Sequence, residues 1–400
     1  MADDPRPDFE PDWPLCVEEG CRGAQAVARH CLVHTTDLAG LEPGGDLDLR
    51  GAAIDSARLS GVLGRFRDQE AKRLVFGRVR CDHTWFSGRA WFDGAEFRSA
   101  ASFENAHFSE LAGFNNVSCA ERMSFVEARF HGKALMWRMS ATDIEMRRAS
   151  FANRVEMNVY VHVLDCANAR FEGGVMISTR GDVDLAGVVF GAPSTVARAK
   201  VTWLADCDAS NLVLTGTDLS ECMFAGAHRL EQLRIEGATR FAVLPWPFAR
   251  RWMLAEEGSL PRSRMAAVYR ALRKSFEDGK NEAGAGDFYY GEMECRRHSH
   301  QTSRAERVIL WCYWLLSGYG QRASRALIAL FLVVVTVTGL LTVSGQDFGM
   351  AARIALGAVV FRDDKADLTA AGEWVVLVAR FLGPVLLALA VLAIRARVKR

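Results

Sequence analysis

A period of five residues runs through residues 46–240 and limits what this chain can fold into. Leu49, Ile54 and Leu59 lie five apart, and Ala52 and Ala57 stand two residues before the last two. The same pairing of one small with one large apolar residue continues downstream. It recurs at Ala90, Phe92, Ala95, Phe97, Ala101, Phe103, Ala106, Phe108, Phe125, Ala128, Phe130, Ala149, Phe151, Ala169, Phe171, Leu185, Phe190, Val196, Ala199, Val201, Leu214, Leu219 and Phe224. Neither a helix nor a flat strand has this period.

Sides of five residues predict a solenoid in which the large side chains fill the axis and each coil depends on its neighbours. At about twenty residues per coil we expect about ten coils. The segment resembles the pentapeptide-repeat family, and the resemblance implies an all-β right-handed quadrilateral β-helix. The register slips near 60–84, 111–124, 132–148 and 152–165, where we expect loops, bulges or added helices.

Near the start of the chain, four metal-binding residues occur with the spacing C-x4-C-x9-C-x2-H. They are Cys16, Cys21, Cys31 and His34. Four soft or borderline ligands from one short loop suit tetrahedral Zn2+, and a site filled by four protein ligands is structural. We therefore expect this segment to depend on zinc for its folding. His30 is an alternative ligand, and the competing interpretation is three unrelated cysteines beside a histidine.

Charge and cysteine usage narrow the function classes. The net charge is +1, and residues 44–240 hold 24 Lys/Arg against 25 Asp/Glu. Some pentapeptide-repeat proteins mimic DNA and bind gyrase, but a DNA mimic needs a strongly negative surface. Because the N-terminus has no signal-peptide pattern, we expect the ten cysteines to be reduced thiols or metal ligands. Plentiful Ala, Gly, Val and Arg with few Lys favour a bacterial source.

Two helices are predicted after the break at Leu244-Pro245-Trp246-Pro247. The first runs from Arg262 to Lys280. The second begins at Gly284, with Asp287 as its N-cap. It contains Gly286–Arg297, a stretch that resembles the region joining pentapeptide repeats to membrane spans in a group of bacterial proteins. Two roles are open for this stretch: a binding or gating element, or packing between the solenoid and the membrane.

The C-terminal quarter predicts a transmembrane hairpin. Residues 326–343 carry no charge and are long enough to cross a bilayer, and a second apolar segment covers 374–394. Basic residues precede the first span and follow the second, so the positive-inside rule places both termini in the cytoplasm. Between the spans, 350–361 is too short to cross and is expected to be a re-entrant or interfacial helix.

Arg380 lies inside the second span, where a charge is costly and often functional. The alternative is that its side chain extends toward the outer headgroups. Asp347, Asp363 and Glu373 are possible partners for it. We expect Gly383 with Pro384 to kink the helix.

These predictions assign the whole chain. The order is a tail (1–45) with the zinc site (16–34), the solenoid (46–240), a helical linker with an interfacial helix (241–325), the first span (326–343), an external loop (344–373), the second span (374–394) and a basic cytoplasmic tail (395–400).

Four function classes remain for such a chain. The first is a membrane-anchored, non-enzymatic scaffold for protein–protein interaction, with the lipid bilayer and an unknown cytoplasmic protein as partners. The second is an oligomeric two-helix channel-like protein, which requires a homo-oligomer. A DNA mimic or other nucleic-acid function is disfavoured by the charge balance, and an enzyme by the absence of recognisable catalytic motifs.

Overall fold

A computed structural model describes residues 9–243, 251–360, 362 and 369–398. These residues form two compact units. The first contains the described residues up to Val243, together with Met253–Gly258. The second contains Arg251, Trp252 and the described residues from Ser259 onward.

The first unit is a solenoid of short parallel strands. Its first sheet contains Leu47–Asp48, Val79–Arg80, Ala101–Ser102, Met123–Ser124, Asp143–Glu145, Val163–Asp165, Asp182–Asp184 and Lys200–Trp203. Its second sheet contains Ala53–Ile54, Trp85–Phe86, His107–Phe108, Arg129–Phe130, Ser150–Phe151, Arg170–Phe171 and Val189–Phe190. Its third sheet contains Val75–Phe76, Ala90–Trp91, Glu96–Phe97, Ala112–Gly113, Ser118–Cys119, Ala134–Ser140, Val155–Tyr160, Val175–Ser178, Ser194–Ala197, Leu212–Thr215 and Arg234–Glu236.

Further short elements complete this part of the chain. They are the strands Ala242–Val243 and Trp252–Met253 and the 3-10 helices Ala209–Asn211, Leu230–Gln232 and Ala255–Gly258.

Stacked phenylalanines fill the axis of the solenoid, as the five-residue period predicts. Along the second sheet, Phe86, Phe108, Phe130 and Phe151 stack ring on ring, with centroids 4.5–4.7 Å apart and planes within 7°. The small partner residues are buried as well: Ala95, Ala106 and Ala128 have at most 1% of their surface exposed. Each aromatic ring therefore lies against the rings of the coils above and below, which is why no coil is stable alone.

The first sheet of the solenoid has eight paired strands, and two isolated parallel bridges, Lys200 with Asp218 and Asp218 with Arg240, continue the pairing beyond it toward the expected number of about ten coils. The coils are unequal in length. Val79 pairs with Ala101, 22 residues later, whereas Val183 pairs with Val201, only 18 residues later.

A helix interrupts the period near its start, and here the expected register was wrong. Helix α1, Ser56–Gly64, is capped by the Asp55 side chain, which accepts a hydrogen bond from the Arg58 N–H. Leu59 is buried as the period predicts, but Ala57 is exposed because it lies on the outer side of α1. The helix accounts for part of the slip predicted near 60–84.

The second unit is α-helical. Its helices are α2 (Arg262–Asp278), α3 (Glu282–Arg297), α4 (Arg304–Ser317), α5 (Ala323–Val343), α6 (Phe348–Val359) and α7 (Ala370–Val398). Helix α3 begins earlier than expected, because Asn281 and not Asp287 caps it by accepting from the Gly284 N–H. The predicted break at 244–247 and Asp363 lie outside the described residues.

Helices α5 and α7 are long and apolar enough to cross a membrane. Their mean hydropathies are 2.7 and 2.5, and only 22% and 28% of their most apolar stretches are buried. Phe331, Trp374 and Phe381 are each exposed over more than 60% of their surface. The core helix of a soluble protein would be mostly buried, so low burial sets these two helices apart from that class.

Candidate functional site

The structure brings the four predicted zinc ligands together. The sulfur atoms of Cys16, Cys21 and Cys31 and a ring nitrogen of His34 all lie within 4.8 Å of one another. Cys21 Sγ is 3.8 Å from Cys31 Sγ. His34 Nδ1 is 3.5 Å from Cys16 Sγ and 3.4 Å from Cys31 Sγ.

These distances fit a tetrahedral zinc ion. Zinc–sulfur bonds of about 2.3 Å and zinc–nitrogen bonds of about 2.0–2.1 Å place two sulfurs about 3.8 Å apart and a sulfur and nitrogen about 3.5 Å apart. A disulfide between Cys21 and Cys31 would need their sulfurs about 2.05 Å apart. A donor set of three thiols and one imidazole also favours zinc over harder cations such as Mg2+ or Ca2+. The cluster is therefore suited to a metal ion.

Backbone N–H groups aim at two of the sulfurs. The Gly23 N–H donates to Cys21 Sγ at 3.3 Å, and the Cys31 N–H donates to Cys16 Sγ at 3.4 Å. A Cβ atom on residue 23 would lie 2.9 Å from the Cys31 Cβ, so only glycine lets the two ligand loops approach this closely. Such outer hydrogen bonds orient thiolates and stabilise their charge.

The hydrogen bond between Cys21 and Cys31 shifts the pKa values of their thiols in opposite directions. The hydrogen bond between Cys21 and Cys31 lowers the pKa of Cys31. The same hydrogen bond, with burial, raises the pKa of Cys21. A thiolate is the form that binds zinc, so a bound cation would favour the deprotonated form of both cysteines.

His30, the alternative ligand, is occupied elsewhere. Its Nε2 lies 3.4 Å from the Glu18 carboxylate, and its Nδ1 is 3.1 Å from the Ala28 carbonyl oxygen. His34 is thus the histidine that completes the cluster.

The cluster is attached to the first coil of the solenoid. The Ala24 N–H donates to the Arg50 carbonyl oxygen at 2.8 Å. From α1, the Arg58 guanidinium donates to the carbonyl oxygens of Leu32 and Thr35, which lie on either side of His34 in the chain. Sequence reasoning missed Arg58, since no local spacing connects it with residues more than 20 positions earlier.

The short helix α6 packs between the two long helices. Its small residues Ala351, Ala355 and Ala358 are each at most 1% exposed and join a buried cluster with Leu341 of α5 and Ala379 of α7. Small residues on a helix face allow close helix packing within membranes.

The C-terminal end of α6 reaches far along α7. A Cβ atom on Gly383 would lie 2.9 Å from the Val359 Cα, so the two backbones touch there. Gly383 is 13 residues from the start of α7 at Ala370, which corresponds to about 20 Å of helix. Helix α6, with 12 residues and a length of about 18 Å, therefore ends beside the middle of α7.

Arg380 is half-buried on α7, one turn before this contact. Among its expected partners, Glu373 is on α7 itself and is exposed, and Asp347 caps α6 by accepting from the Gly349 N–H. Pro384 lies inside α7. The functional and the snorkelling interpretations of Arg380 both stay open as predictions.

Within Gly286–Arg297, aromatic side chains pack inside the helical unit. Phe288 is fully buried, with its ring centroid 5.0 Å from that of Phe276, 5.7 Å from that of Trp252 and 6.0 Å from that of Tyr269. These contacts lie within the helical unit, and both predicted roles of the stretch stay open.

The two glutamates of the same stretch bind different arginines. Glu292 is 2% exposed and accepts from Arg270 and Arg273, each at 2.9 Å. Glu294 accepts from the Tyr319 hydroxyl and from Arg297, also at 2.9 Å. Their carboxylates thus tie α3 to α2 and to the turn before α5.

The single histidines of the solenoid are not gathered into one site. His107 and His131 are neighbours on successive coils, with Nε2 atoms 3.2 Å apart, while His83 stacks on Phe9.

Comparisons of the chain with protein-family models, with curated proteins and with solved structures found no match.

Proposed function

We propose that this protein is a membrane-anchored, non-enzymatic scaffold whose solenoid binds a cytoplasmic protein partner. The observation that carries the proposal is the pairing of a solenoid with two long helices that leave most of their apolar surface uncovered. We assign the solenoid to the pentapeptide-repeat class, with a right-handed, four-sided coil. The five-residue period and the stacked phenylalanines support this assignment.

Both termini and the solenoid are proposed to be cytoplasmic. Arg322 and Arg325 flank the start of α5, and Arg395 lies near the end of α7. Basic residues at both outer ends of a hairpin favour cytoplasmic termini. A cytoplasmic location also suits a structural Zn2+ site, since thiols stay reduced there.

The third sheet offers the face for a partner. Trp91, Trp137, Tyr160 and Met176 point outward from it and are 39–60% exposed. Aromatic residues and methionine are enriched at protein interfaces, whereas charged residues are depleted from interface centres. Along the first sheet, Asp48, Arg80, Glu145, Asp165 and Asp184 occupy outward positions, and Trp203 is the exposed aromatic residue at the end of the same row.

A non-enzymatic role is supported by the state of the solenoid cysteines. Burial raises the pKa of Cys81, Cys166 and Cys222. A thiol held neutral in the core packs as a small hydrophobe and is a poor nucleophile. In the proposed zinc site, four protein ligands leave no position for a substrate.

A photo-crosslinking residue at position 137 of the full chain, in its native membrane, tests the scaffold proposal. The matched control carries the same residue at position 165, on the charged first sheet. We expect a discrete protein adduct from position 137 and none from position 165. Equal labelling from both positions, or labelling from neither, would contradict a partner-binding third sheet.

A channel-like oligomer is the second candidate, and the position of α6 favours it. A short helix between two spans, with its C-terminal end near the middle of α7, places negative helix-end charge where a cation could pass. Two spans enclose a pore only in an oligomer. Light scattering of the detergent-solubilised protein tests this: a tetramer or larger ring with bilayer conductance altered by Arg380→Ala supports the channel, and a monomer or dimer rejects it.

A further inference from the structure

Two apolar grooves run along the hairpin and join end to end. The first, of about 510 Å3, is bounded by α4, α5 and α7, and the second, of about 440 Å3, lies between α5 and α7. Leu332, Val333 and Leu382 line both grooves. The surface they form is therefore one continuous furrow along the two spans.

The two grooves differ in charge. Arg325 lines the first groove at its α4 end, beside Trp314 and Leu315. The lining of the second groove consists of apolar residues with Thr336 and Trp374. A cation is thus present at one end of the furrow, at the first turn of α5, where a helix enters the headgroup region.

Arg325 is held in place by Trp314. Its guanidinium carbon lies 4.9 Å from the Trp314 ring centroid, and its Nη1 donates to the Trp314 carbonyl oxygen at 3.1 Å. Trp314 is itself fixed, because its indole N–H donates to the Tyr290 hydroxyl at 2.9 Å. A guanidinium positioned by these contacts loses little conformational freedom when it binds an anion.

The length of the first groove matches one leaflet of a bilayer. Along α5 its lining runs from Arg325 to Val333, eight residues or about 12 Å of helix. The hydrocarbon core is about 30 Å thick, so one leaflet provides about 15 Å. A lipid whose phosphate binds Arg325 could therefore extend its acyl chain along the full length of the groove. Basic pockets between spans are a recognised mode of binding acidic headgroups.

We infer that the first groove is a binding site for one anionic phospholipid, whose phosphate pairs with Arg325 and whose acyl chain lies along Ala329, Leu332 and Leu386. The inference rests on the proposed insertion of α5 and α7 into a membrane. The inference specifies the class of lipid that binds and places it in the leaflet at the N-terminal end of α5. The uncharged second groove has no such preference for acidic lipid.

Native mass spectrometry of the delipidated full chain tests the site, with phosphatidylglycerol and phosphatidylcholine added in turn. We expect one phosphatidylglycerol per chain, bound about tenfold more tightly than phosphatidylcholine, as one charge-assisted contact provides. In Arg325→Gln the preference should disappear. In Ala329→Phe, which fills the groove and keeps the charge, both lipids should bind more weakly. Arg304→Gln, an exposed arginine on α4 outside the groove, should behave like the unchanged chain.

Flotation with phospholipid vesicles separates the two possible failures. A chain that floats but has no phosphatidylglycerol preference, keeps that preference in Arg325→Gln, or binds both lipids as tightly in Ala329→Phe as before, overturns the lipid site alone. A chain that does not float overturns the membrane proposal beneath it. Self-association that Ala329→Phe abolishes, without retained lipid, would show that a second copy of the chain fills the groove and would also overturn the site.

Discussion

The solenoid and the hairpin contain equally apolar side chains in opposite surroundings. Phe130, inside the solenoid, is 2% exposed and stacks between Phe108 and Phe151, whereas Phe381, on α7, is 71% exposed. The solenoid sequence spaces its large side chains every five residues, so that each meets the one in the next coil. Helices α5 and α7 leave apolar side chains such as Phe381 exposed, which supports the proposed membrane insertion. Spacing, and not apolar content, distinguishes burial inside the solenoid from this exposure.

Metal removal should produce the largest effect, and it should be confined to the solenoid unit. Structural zinc sites contribute about 10–16 kcal/mol to the folding of the segments that bind them. We expect chelation or Cys31→Ser to expose the amides of residues 15–35 to hydrogen exchange and to leave α5–α7 unchanged. Cys312→Ser, a change at an exposed cysteine outside the cluster, is the control. Retention of one zinc per chain by Cys31→Ser, measured by elemental analysis, would contradict the assigned ligand set.

Truncating one phenylalanine in the solenoid and one on α7 tests directly whether the protein buries the first and leaves the second uncovered. Phe130→Ala should lower the free energy of unfolding of the solenoid by about 3–5 kcal/mol, because it leaves a cavity in the aromatic stack. Phe381→Ala should change stability in detergent by less than about 0.5 kcal/mol, because the ring faces outward. Denaturant unfolding followed by circular dichroism measures both. A cost for Phe381→Ala as large as that for Phe130→Ala would mean that protein, not lipid, covers α7.

Two carboxylates that share Arg273 give a smaller contrast inside the helical unit. Glu292 is 2% exposed and pairs with Arg273 and Arg270, while Glu277 is half-exposed and pairs with Arg273 one turn along α2. Glu292→Gln should cost about 1.5–3 kcal/mol, since it removes the charge from a buried carboxylate that accepts hydrogen bonds from two partly exposed arginines. Glu277→Gln should cost about 0.3–0.5 kcal/mol. Thermal unfolding of the two variants would refute the packing role of Glu292 if their costs were equal.

The smallest expected effect is a pH dependence at the far end of the solenoid. Glu256 is buried and accepts from the N–H groups of Phe224 and Ala225 at 3.0 and 3.2 Å. Burial raises the pKa of Glu256 above its usual value of about 4.3. The folded state thus holds this proton more tightly than the unfolded state does. Its stabilisation is complete below about pH 4.3 and declines as the pH rises through the raised pKa.

Hydrogen exchange of the Phe224 and Ala225 amides, corrected for intrinsic rates, measures that decline. Glu256→Gln should remove the decline, because glutamine does not ionise. Glu257→Gln, a change at the neighbouring residue, should keep it. A Glu256→Gln profile that parallels the unchanged chain would show that the pH dependence comes from another group.

The sequence predicted the parts of this molecule that follow from periodicity or short spacing. The core phenylalanines, the four-residue metal cluster and the two long apolar helices are all where their patterns indicated. The start of helix α1, before the slip predicted near 60–84, was missed because Leu59 satisfies both the five-residue register and the buried face of a helix. The unequal length of the coils was missed because the five-residue period determines the sides of a coil and not the loops between them.

Other features depend on contacts between distant residues. Arg58 binds Leu32, and Glu256 binds Phe224, across more than 20 residues of chain, and no local signal marks either pair. The burial of α6 depends on small residues, and their packing could not be predicted because it requires the contact of Gly383 on α7 with Val359 on α6. Sequence patterns thus indicated the elements, and three-dimensional contacts determined how those elements are fixed.

Membrane insertion is the central claim, and alkaline washing of membranes that contain the full chain tests it most directly. A peripheral protein is released by alkaline carbonate, whereas a chain anchored by α5 and α7 stays in the pellet and floats with the lipid afterwards. Sidedness is measured with two variants of a Cys312→Ser chain, one with Ser344→Cys and the other with Glu110→Cys. An impermeant maleimide is applied to intact cells that contain either variant. The account predicts retention in the membrane, with position 344 labelled from outside and position 110 labelled only after permeabilisation. Release into the wash, or labelling of position 110 in intact cells, would contradict it.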